Sequence, residues 1–513
     1  MARKTAVRLT GEDLTAGDVW EVAVGGAGVE LDESAREKMR TARAVVERVA
    51  RAPGAAYGVN TGFGRFVSKA IPRELAAELQ LRLLRSHACG VGDPYPDEIV
   101  RAAIVMRSNT LAKGYSGARV QVAELLLELL DRGVLPRVPS RGSVGASGDL
   151  APLAHLALPL VGEGKAWVDG ELLEGSAALA RVGLEPLRLE AKEGLSLVNG
   201  TQFMGAFAAL GVVRARRLAK AADVGCALSL EALQGSRTSF LPEIHALRPL
   251  PGQAVAAANV LRLLGESAIV ESHRWCDRVQ DAYSLRCAPQ VHGACRDLLD
   301  YVERTTAVEL NAATDNPLVL SDEGRLLSNG NFHGQPLGFA LDALAMAVSE
   351  LASISERRIE RLVNPALSDG LPPFLAHDGG LNSGFMIPQY VAASLVSENK
   401  ALAHPASVDS IPTSAGQEDH VAMGNASGLK AWQVLGNAER AVAIELLAGA
   451  QAVEFLAPLR PGPGTAAARG HVRSLSPRLR EDRPLDEDIE AVAAAIRDGS
   501  LLDAVEAEVG ELE

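Results

Sequence analysis

The stretch TQFMGAFAALGVVRARRLAKAADVGCALSLEALQ runs from Thr201 to Gln234. It is rich in Ala and Leu and contains few residues that interrupt a helix. At 3.6 residues per turn, it predicts a helix of roughly eight turns or more. A helix of this length in a soluble chain needs packing partners along most of its surface, so the stretch predicts a helical bundle.

Two other stretches have the same character, Gln335 to Val363 and Asn425 to Ala457. The predicted fold class is therefore mainly α, an elongated bundle of long helices with a few short hairpins. Four shorter runs are also predicted to be helices, from charged amphipathic character or from Pro at a favoured first-turn position, with Gly90, Gly114 and Gly133 near the ends of three of them. These runs are Asp32 to Ala52, Pro72 to Ala88, Pro96 to Ala112 and Gly117 to Arg132.

Strand signals are few. Ala166 to Leu173 contains Asp169-Gly170 between apolar residues, which predicts a hairpin, and Leu318 to Leu327 is a second candidate. There is no repeated strand–helix pattern and no glycine-rich phosphate loop, so the sequence gives no sign of a nucleotide cofactor.

The sequence predicts two domains, an N-terminal domain of residues 1–202 and a long-helix domain of residues 203–513. The run Pro461-Gly-Pro-Gly464 marks a break before a charged helical tail.

The composition is that of a soluble globular protein, with 47% hydrophobic and 22% charged residues. A net charge of -13 disfavours nucleic-acid binding. No run reaches about 18 uninterrupted apolar residues, and no signal peptide is recognisable, so a cytoplasmic protein without membrane contact is expected. The five cysteines include no Cys-x-x-Cys pair, which predicts buried free thiols and no metal site.

The segment RGSVGASGDLAPLAH, Arg141 to His155, departs from the helical pattern. Gly148 has no Cβ, so its amide nitrogen can approach the carbonyl carbon of Ala146. Ring closure and dehydration of Ser147 would give 4-methylideneimidazol-5-one, whose CH2 group is electron-poor. The alternative is a helix N-cap formed by Ser147 or Asp149. A second Ala-Ser-Gly at residues 426–428 shows that the tripeptide alone is not specific.

The complete segment resembles the signature of the aromatic amino-acid ammonia-lyases. Five further blocks resemble the same family in the expected order. These blocks are Tyr57–Gly64, Leu195–Gln202, Gln280–Cys287, Gly330–Pro336 and Ser397–Met423.

The resemblance implies a role for each matching residue. Ala146, Ser147 and Gly148 would form the electrophile, and Tyr57 would be the general base on a closing loop. Arg286 would clamp the substrate carboxylate. The remaining roles are Tyr283 at the electrophile ring, Asn199 near its carbonyl, Phe332 lining the pocket and Gln280 supporting the site. Residue type alone suggests other roles. Tyr57 would lie in a surface turn, Arg286 would form a surface salt bridge and Asn199 would cap a helix. Tyr283 and Phe332 would be core aromatics, and Gln280 would have no assigned role.

Two positions bear on the substrate. Family members that act on histidine carry the pair found at Ser86-His87 and a glutamate at the position of Glu418. His87 can exchange a hydrogen bond with an imidazole, and a carboxylate facing a phenyl ring would be a desolvated charge without a partner. The alternative for His87 is a hydrogen-bonded structural histidine, and the alternative for Glu418 is an acidic residue at the start of a helix. Phe203, Met204 and His292 depart from the usual family residues.

The resemblance thus implies elimination of ammonia from L-histidine to give trans-urocanate, the first step of histidine degradation. It also implies a homotetramer whose active sites each draw on three subunits, with no diffusible cofactor. The alternatives are the same chemistry on phenylalanine or tyrosine, an aminomutase, or a non-catalytic helical scaffold.

Overall fold

The computed structural model describes residues 6–54, 56–275 and 278–513. These residues form twenty α-helices and nine short strands, which confirms the predicted mainly helical class. The helices are α1 Ala16–Ala23, α2 Glu33–Arg51, α3 Ala76–His87, α4 Asp97–Ala112, α5 Val120–Asp131, α6 Leu150–Ala157, α7 Gly175–Arg181, α8 Glu193–Val198, α9 Gln202–Ala232, α10 Pro242–Ala246, α11 Pro251–Leu264, α12 Ala268–Ser272, α13 Tyr283–Arg286, α14 Ala288–Leu310, α15 Gln335–Val363, α16 Met386–Leu402, α17 Gly424–Val453, α18 Pro463–Leu475, α19 Asp486–Asp498 and α20 Ser500–Val509. The strands are β1 Val7–Leu9, β2 Val29–Leu31, β3 Val91–Pro94, β4 Leu135–Pro136, β5 Pro139–Arg141, β6 Lys165–Val168, β7 Glu171–Glu174, β8 Leu318–Leu320 and β9 Arg325–Leu327.

The three long helices α9, α15 and α17 are confirmed, with ends within a few residues of those predicted. Small residues let α9 and α17 approach closely. A Cβ added at Gly428 would lie 2.6 Å from the Phe207 ring, and one at Gly449 would lie 3.0 Å from Leu228. Glycine at these positions therefore sets the distance between the helices.

The shorter predicted helices are present with shifted starts. Helix α2 begins after Asp32, whose carboxylate accepts a hydrogen bond from the Ser34 N–H. Helix α3 begins at Ala76 instead of Pro72, because the intervening residues form a 3-10 turn. Helix α5 begins at Val120 because Gly117, with φ of 69°, is in the left-handed region.

Both predicted hairpins are confirmed. Strands β6 and β7 join through Asp169 and Gly170, which both have positive φ, as a type I′ turn requires. Strands β8 and β9 also pair antiparallel. The pairs β1–β2, β3–β5 and β4–β6 were not predicted, because strands of two to four residues are too short to show an alternating pattern.

The chain forms two compact units, each made of three segments. The first contains Met1–Val213, Val302–Asp342 and Pro405–Leu429, and the second contains Arg214–Tyr301, Ala343–His404 and Lys430–Glu513. These units are defined by contacts between residues, so each one combines segments that are separate in the sequence. The domain boundary between residues 202 and 203 stays a prediction.

Helix α15 is the one described helix that is long and apolar enough to cross a membrane. Burial within the protein covers 72% of its most apolar window, as is usual for a core helix.

The prediction that the thiols are buried holds for Cys226 and Cys295 but is wrong for Cys89, which is exposed, and for Cys287, which is half-buried. Helix α3 ends at His87, which leaves Cys89 in the segment after it. Cys276 lies outside the described residues.

A buried ion pair stabilises the second unit. The Arg358 guanidinium donates to both carboxylate oxygens of Glu445, and neither side chain is exposed. The hydroxyls of Ser229 and Ser355 donate to the same carboxylate, at 2.7 and 2.6 Å. Glu445 is thus fully hydrogen-bonded, so losing its charge would leave Arg358 buried without a counterion.

We expect Glu445→Gln to lower the free energy of unfolding by about 3–5 kcal/mol, because the remaining arginine charge is uncompensated. The matched control is Glu490→Gln, which breaks the exposed pair with Arg440 and should cost no more than about 1 kcal/mol. Chemical unfolding of the two variants and the parent measures both effects. Equal losses in the two variants would contradict this interpretation.

Candidate active site

The glycine-rich segment connects β5 to α6 and is held against the main chain at Gly200. Gly148 has φ of 72°, and it forms an isolated parallel bridge with Gly200. The Asp149 N–H donates to the Gly200 carbonyl at 2.7 Å. A Cβ on Gly148 would lie 2.0 Å from that carbonyl oxygen, so no side chain fits at this position.

Two of the predicted blocks contact the other side of the segment. The Val144 carbonyl accepts hydrogen bonds from the N–H groups of Ala422 and Met423, at 3.1 and 2.8 Å. The Gly145 carbonyl accepts one from the Gly334 N–H at 3.0 Å. The structure therefore brings together stretches that lie far apart in the sequence.

Asp149 does not cap α6, because its side chain makes no capping bond there. Its buried carboxylate instead accepts hydrogen bonds from the N–H groups of Phe203 and Met204, at 2.9 and 3.0 Å, and from the Ser143 hydroxyl at 2.9 Å. It thus satisfies donors at the start of α9. Burial raises the pKa of Asp149 to about 6, although these three bonds oppose the shift.

Ser147 is half-buried and has two side-chain partners from other blocks. The Asn199 amide donates from Nδ2 to the Ser147 carbonyl oxygen at 3.1 Å. The Ser147 hydroxyl donates to Oε1 of Glu418 at 2.9 Å. The second oxygen of Glu418 accepts a bond from the Thr413 hydroxyl at 2.6 Å. Asn199 and Glu418 are thus both hydrogen-bonded to Ser147, while the roles that the resemblance implies for them stay predictions.

Tyr57 lies in a turn of the predicted loop, with its ring edge-on to Phe63 at 6.2 Å. Burial raises the pKa of Tyr57 above its usual value, and the Gly64 N–H opposes this rise. The negative charges of Glu418 and Asp315 also raise it. Tyr57 is therefore a neutral phenol in the isolated chain at neutral pH.

His87 ends α3, and its Nδ1 lies 2.9 Å from the Leu83 carbonyl oxygen. The neighbouring Ser86 hydroxyl donates to the same carbonyl at 3.0 Å. The Ser86 hydroxyl also lies 3.0 Å from Nδ1. With Ser86 donating to the carbonyl, the proton is assigned to Nδ1 because a carbonyl only accepts, and Nε2 of the neutral ring is then an acceptor. Burial lowers the pKa of His87, whereas the Leu83 carbonyl and the charge of Glu418 act in the opposite direction.

Phe332 is half-buried in the turn that precedes α15. Its neighbour His333 stacks on the ring of His420, with centroids 5.7 Å apart. This contact connects the Phe332 turn to the segment that carries Glu418.

Gln280, Tyr283 and Arg286 belong to the second unit. The Arg286 guanidinium lies 4.6 Å above the Tyr283 ring, and its buried Nε has no hydrogen-bond partner among the described residues. Gln280 and Arg286 line a cleft of about 550 Å³ in this unit. Tyr283 is 72% exposed, so the alternative that residue type alone suggested, a core aromatic, does not hold for the single chain.

The departures from the family pattern have structural explanations. Phe203 is fully buried, with its ring 4.7 Å from that of Tyr95. His292 lies in the core of the second unit, where Nδ1 is 2.6 Å from Asp223. These are packing and pairing differences inside the fold.

Three further residues support the site and were not predicted. Thr413 fixes one oxygen of Glu418. The buried Gln80 amide donates to the Gly58 carbonyl at 3.3 Å and accepts from the Leu195 N–H at 3.1 Å, so it connects two predicted blocks. Arg107 donates to the Asn199 main-chain carbonyl at 2.8 Å. A charged residue directly after the apolar run Ala102–Met106 was the available signal for Arg107, whereas Gln80 lies among other polar residues of α3 and had none.

A family model described as aromatic amino acid lyase matches residues 14–474. The chain belongs to this family, as its sequence blocks implied. It is 56% identical to a histidine ammonia-lyase of Gloeobacter violaceus over 505 residues, which cover 98% of each chain. It is 53% identical to a histidine ammonia-lyase of Myxococcus xanthus over 97% of this chain and 98% of that one.

Solved structures show the same fold. The crystal structure of histidine ammonia-lyase from Trypanosoma cruzi superimposes with a TM-score of 0.92 at 44% identity, covering 99% of this chain and 96% of that one. A tyrosine aminomutase from Streptomyces globisporus gives a TM-score of 0.94 at 39% identity, covering 99% and 100% of the two chains.

The raised pKa of Asp149 predicts a specific pH dependence of stability. Between about pH 4 and 6 the folded chain retains a proton that the unfolded chain has released, so stability falls as pH rises through this window. The loss should total about 3 kcal/mol.

The measurement compares the free energy of unfolding of the parent and Asp149→Asn at about pH 4 and about pH 7. The parent should lose stability relative to the variant at the higher pH. A difference that is the same at both pH values would rule out this titration.

Proposed function

We propose that the protein is a carbon–nitrogen lyase that eliminates ammonia from L-histidine to give trans-urocanate. The observation that supports this most directly is the position of Glu418, whose carboxylate lies 2.9 Å from the Ser147 hydroxyl and acts electrostatically on His87. One group suited to an imidazole thus lies beside the predicted electrophile, and a second, His87, lies near enough to be influenced by its charge. The relatives named histidine ammonia-lyase support the same substrate.

The residues at the glycine-rich segment fit a 4-methylideneimidazol-5-one formed from Ala146, Ser147 and Gly148. Gly148 is in a left-handed conformation and has no room for a Cβ. The Ser147 carbonyl, which would become the ring carbonyl, already accepts a bond from Asn199. When formed, this group supplies an electron-poor carbon that no ordinary side chain offers.

Substrate recognition rests on two acceptors. The deprotonated Nε2 of His87 can accept a hydrogen bond, and the Glu418 carboxylate accepts a stronger, charge-assisted one. An imidazole offers N–H donors, and its protonated form offers two. A phenyl ring offers no donor, so it would leave the carboxylate desolvated without a partner.

Tyr57 is the proposed general base for the weakly acidic β-proton. Burial and nearby carboxylates keep it protonated in the isolated chain, so a cation must approach before it can accept a proton. The ammonium group of the bound substrate and the guanidinium of Arg286 are such cations. Substrate binding and assembly would therefore activate Tyr57 together.

Arg286 is the proposed clamp for the substrate carboxylate. Its Nε is a donor without a partner among the described residues, and the Tyr283 ring lies against its guanidinium.

We infer a cytoplasmic homotetramer in which residues of three subunits form each site. Several large apolar side chains on the single chain are exposed, which favours burial against other copies. On α16 they are Ile387, Tyr390 and Val391, with exposed fractions of 55%, 61% and 38%.

Ser147→Ala tests the electrophile. Removing the hydroxyl prevents the second dehydration, so turnover of histidine should fall by at least about 1,000-fold while the fold is retained. Intact mass should show that the parent is two waters lighter than its sequence and that the variant does not lose both waters.

The matched control is Ser427→Ala in the second Ala-Ser-Gly, where the buried hydroxyl has no partner among the described residues. Turnover by Ser147→Ala at the parent's rate, or an unmodified but active parent, would remove the proposal. An unmodified and inactive parent would support the scaffold alternative.

Glu418→Gln tests the choice of substrate. It keeps the shape and removes the charge, so kcat/KM for histidine should fall about 100-fold, and the ratio of phenylalanine to histidine turnover should rise. Its control is the exposed neighbour, Asp419→Asn. Products from histidine, tyrosine and phenylalanine are followed by absorbance of the conjugated acid and by chromatography. A parent that prefers phenylalanine or tyrosine, or releases a β-amino acid, would contradict the proposed reaction.

A further inference from the structure

Arg107 is a fully buried cation in the middle of α4, behind the electrophile. Its Nη1 donates to the Asn199 main-chain carbonyl at 2.8 Å and to Oε1 of Gln202 at 2.9 Å. Its Nε and Nη2 have no hydrogen-bond partner in the described part of the chain. Both acceptors are neutral, so these contacts hydrogen-bond the guanidinium without cancelling its charge.

The carboxylate whose charge acts on Arg107 is already paired. Asp315 attracts Arg107, but its carboxylate lies 2.8 Å from the ammonium of Lys192, and both of those side chains have no exposed surface. Two buried cations therefore share one carboxylate. Burial lowers the pKa of Arg107 to about 10, so the guanidinium remains charged at neutral pH.

An uncompensated buried charge is destabilising, and replacing it with an apolar side chain is often neutral or stabilising. Its position therefore calls for a functional explanation. Asn199 accepts from Arg107 at its carbonyl and donates from Nδ2 to the Ser147 carbonyl oxygen, so one residue separates the cation from the electrophile.

Dehydration of Ser147 places negative charge on that same oxygen. When the Cα–H bond breaks, the electron pair is delocalised onto the Ser147 carbonyl oxygen. The pair then forms the Cα–Cβ double bond as the Cβ–Oγ bond breaks, and the released proton and hydroxide make one water. A positive potential beside the oxygen lowers the barrier to the first of these events.

We propose that Arg107 is a positioning residue for formation of the electrophile, holding Asn199 against the Ser147 carbonyl and stabilising the charge that develops there. The inference rests on the proposed function only in assuming that Ser147 is dehydrated. It does not depend on which amino acid is the substrate.

The main chain at Gly200 leaves room for the Arg107 guanidinium, which supports a specific role for Arg107 at this place. A Cβ on Gly200 would lie 2.6 Å from Nη1 of Arg107, so glycine is needed for the guanidinium to reach this position. Gln202 in turn is held by the hydroxyls of Thr110 and Thr314, to which Nε2 donates at 3.1 and 3.2 Å.

The test follows maturation by intact mass at successive times after cell-free synthesis of the full chain. Arg107→Met should slow the appearance of the form two waters lighter by about ten-fold, and a form only one water lighter should accumulate. Thermal stability of the variant should equal or exceed that of the parent. Arg107→Lys, which keeps the charge, should recover part of the rate.

Gln202→Glu is the second variant and leaves Arg107 in place. The new carboxylate would pair with the guanidinium, so maturation should slow although the fold is not weakened. Thr110→Val is the matched control, since it removes a bond in the same network without changing charge. It should mature at the parent's rate.

Maturation of both Arg107→Met and Gln202→Glu at the parent's rate would overturn the inference. Equal slowing by Thr110→Val would also overturn it, because geometry alone would then explain the effect. If Arg107→Met does not fold, the comparison of Gln202→Glu with Thr110→Val decides. A parent that loses two waters but does not act on histidine would remove the proposed substrate and leave this inference intact.

Discussion

The site depends on the contact between two glycine main chains, Gly148 and Gly200. A Cβ on Gly148 would collide with the Gly200 main chain, and one on Gly200 would collide with the side chains of Arg107 and Gln202. The left-handed φ of Gly148 is also one that other residues rarely adopt. The contact brings the Asp149 N–H to the Gly200 carbonyl and places Ser147 within reach of Asn199. The segment is thereby held in one bent conformation against α9, and the polar groups around it meet a fixed backbone.

Two carboxylates next to this bend, Asp149 and Glu418, are buried or half-buried, and they differ in the hydrogen bonds that stabilise their charge. Asp149 has no cation bonded to it and is stabilised by hydrogen bonds from two main-chain N–H groups and the Ser143 hydroxyl, which only partly offset the rise in pKa caused by burial. Glu418 has one oxygen fixed by Thr413 and directs the other to Ser147. Dehydration of Ser147 would remove the hydroxyl that occupies this second oxygen. The carboxylate would then be free to accept a bond from a substrate at the place where the electrophile has just formed.

The sequence was sufficient to predict the long helices, because composition over many turns outweighs local detail. Gln335–Val363 was predicted to the residue, and α17 ends four residues before its predicted end because its last turn becomes a 3-10 helix. The short strands β1 to β5 carry no usable pattern. At the site, the family blocks predicted Asn199 and Glu418. Thr413, Gln80 and Arg107 act through contacts between distant segments, and no spacing along the chain specifies such contacts.

The two Ala-Ser-Gly copies show what the tripeptide lacks by itself. Residues 426–428 lie in the first turn of α17, where the N–H groups of Ala426 and Ser427 donate to the Met423 carbonyl. There the backbone follows the helix, and Gly428 serves to admit the Phe207 ring. At Ala146–Gly148 the same residues lie between β5 and α6, with the serine carbonyl and hydroxyl each bound to a side chain from another block. The reactivity proposed for the first copy therefore comes from the bend and its partners, since the three residues are chemically identical in both places.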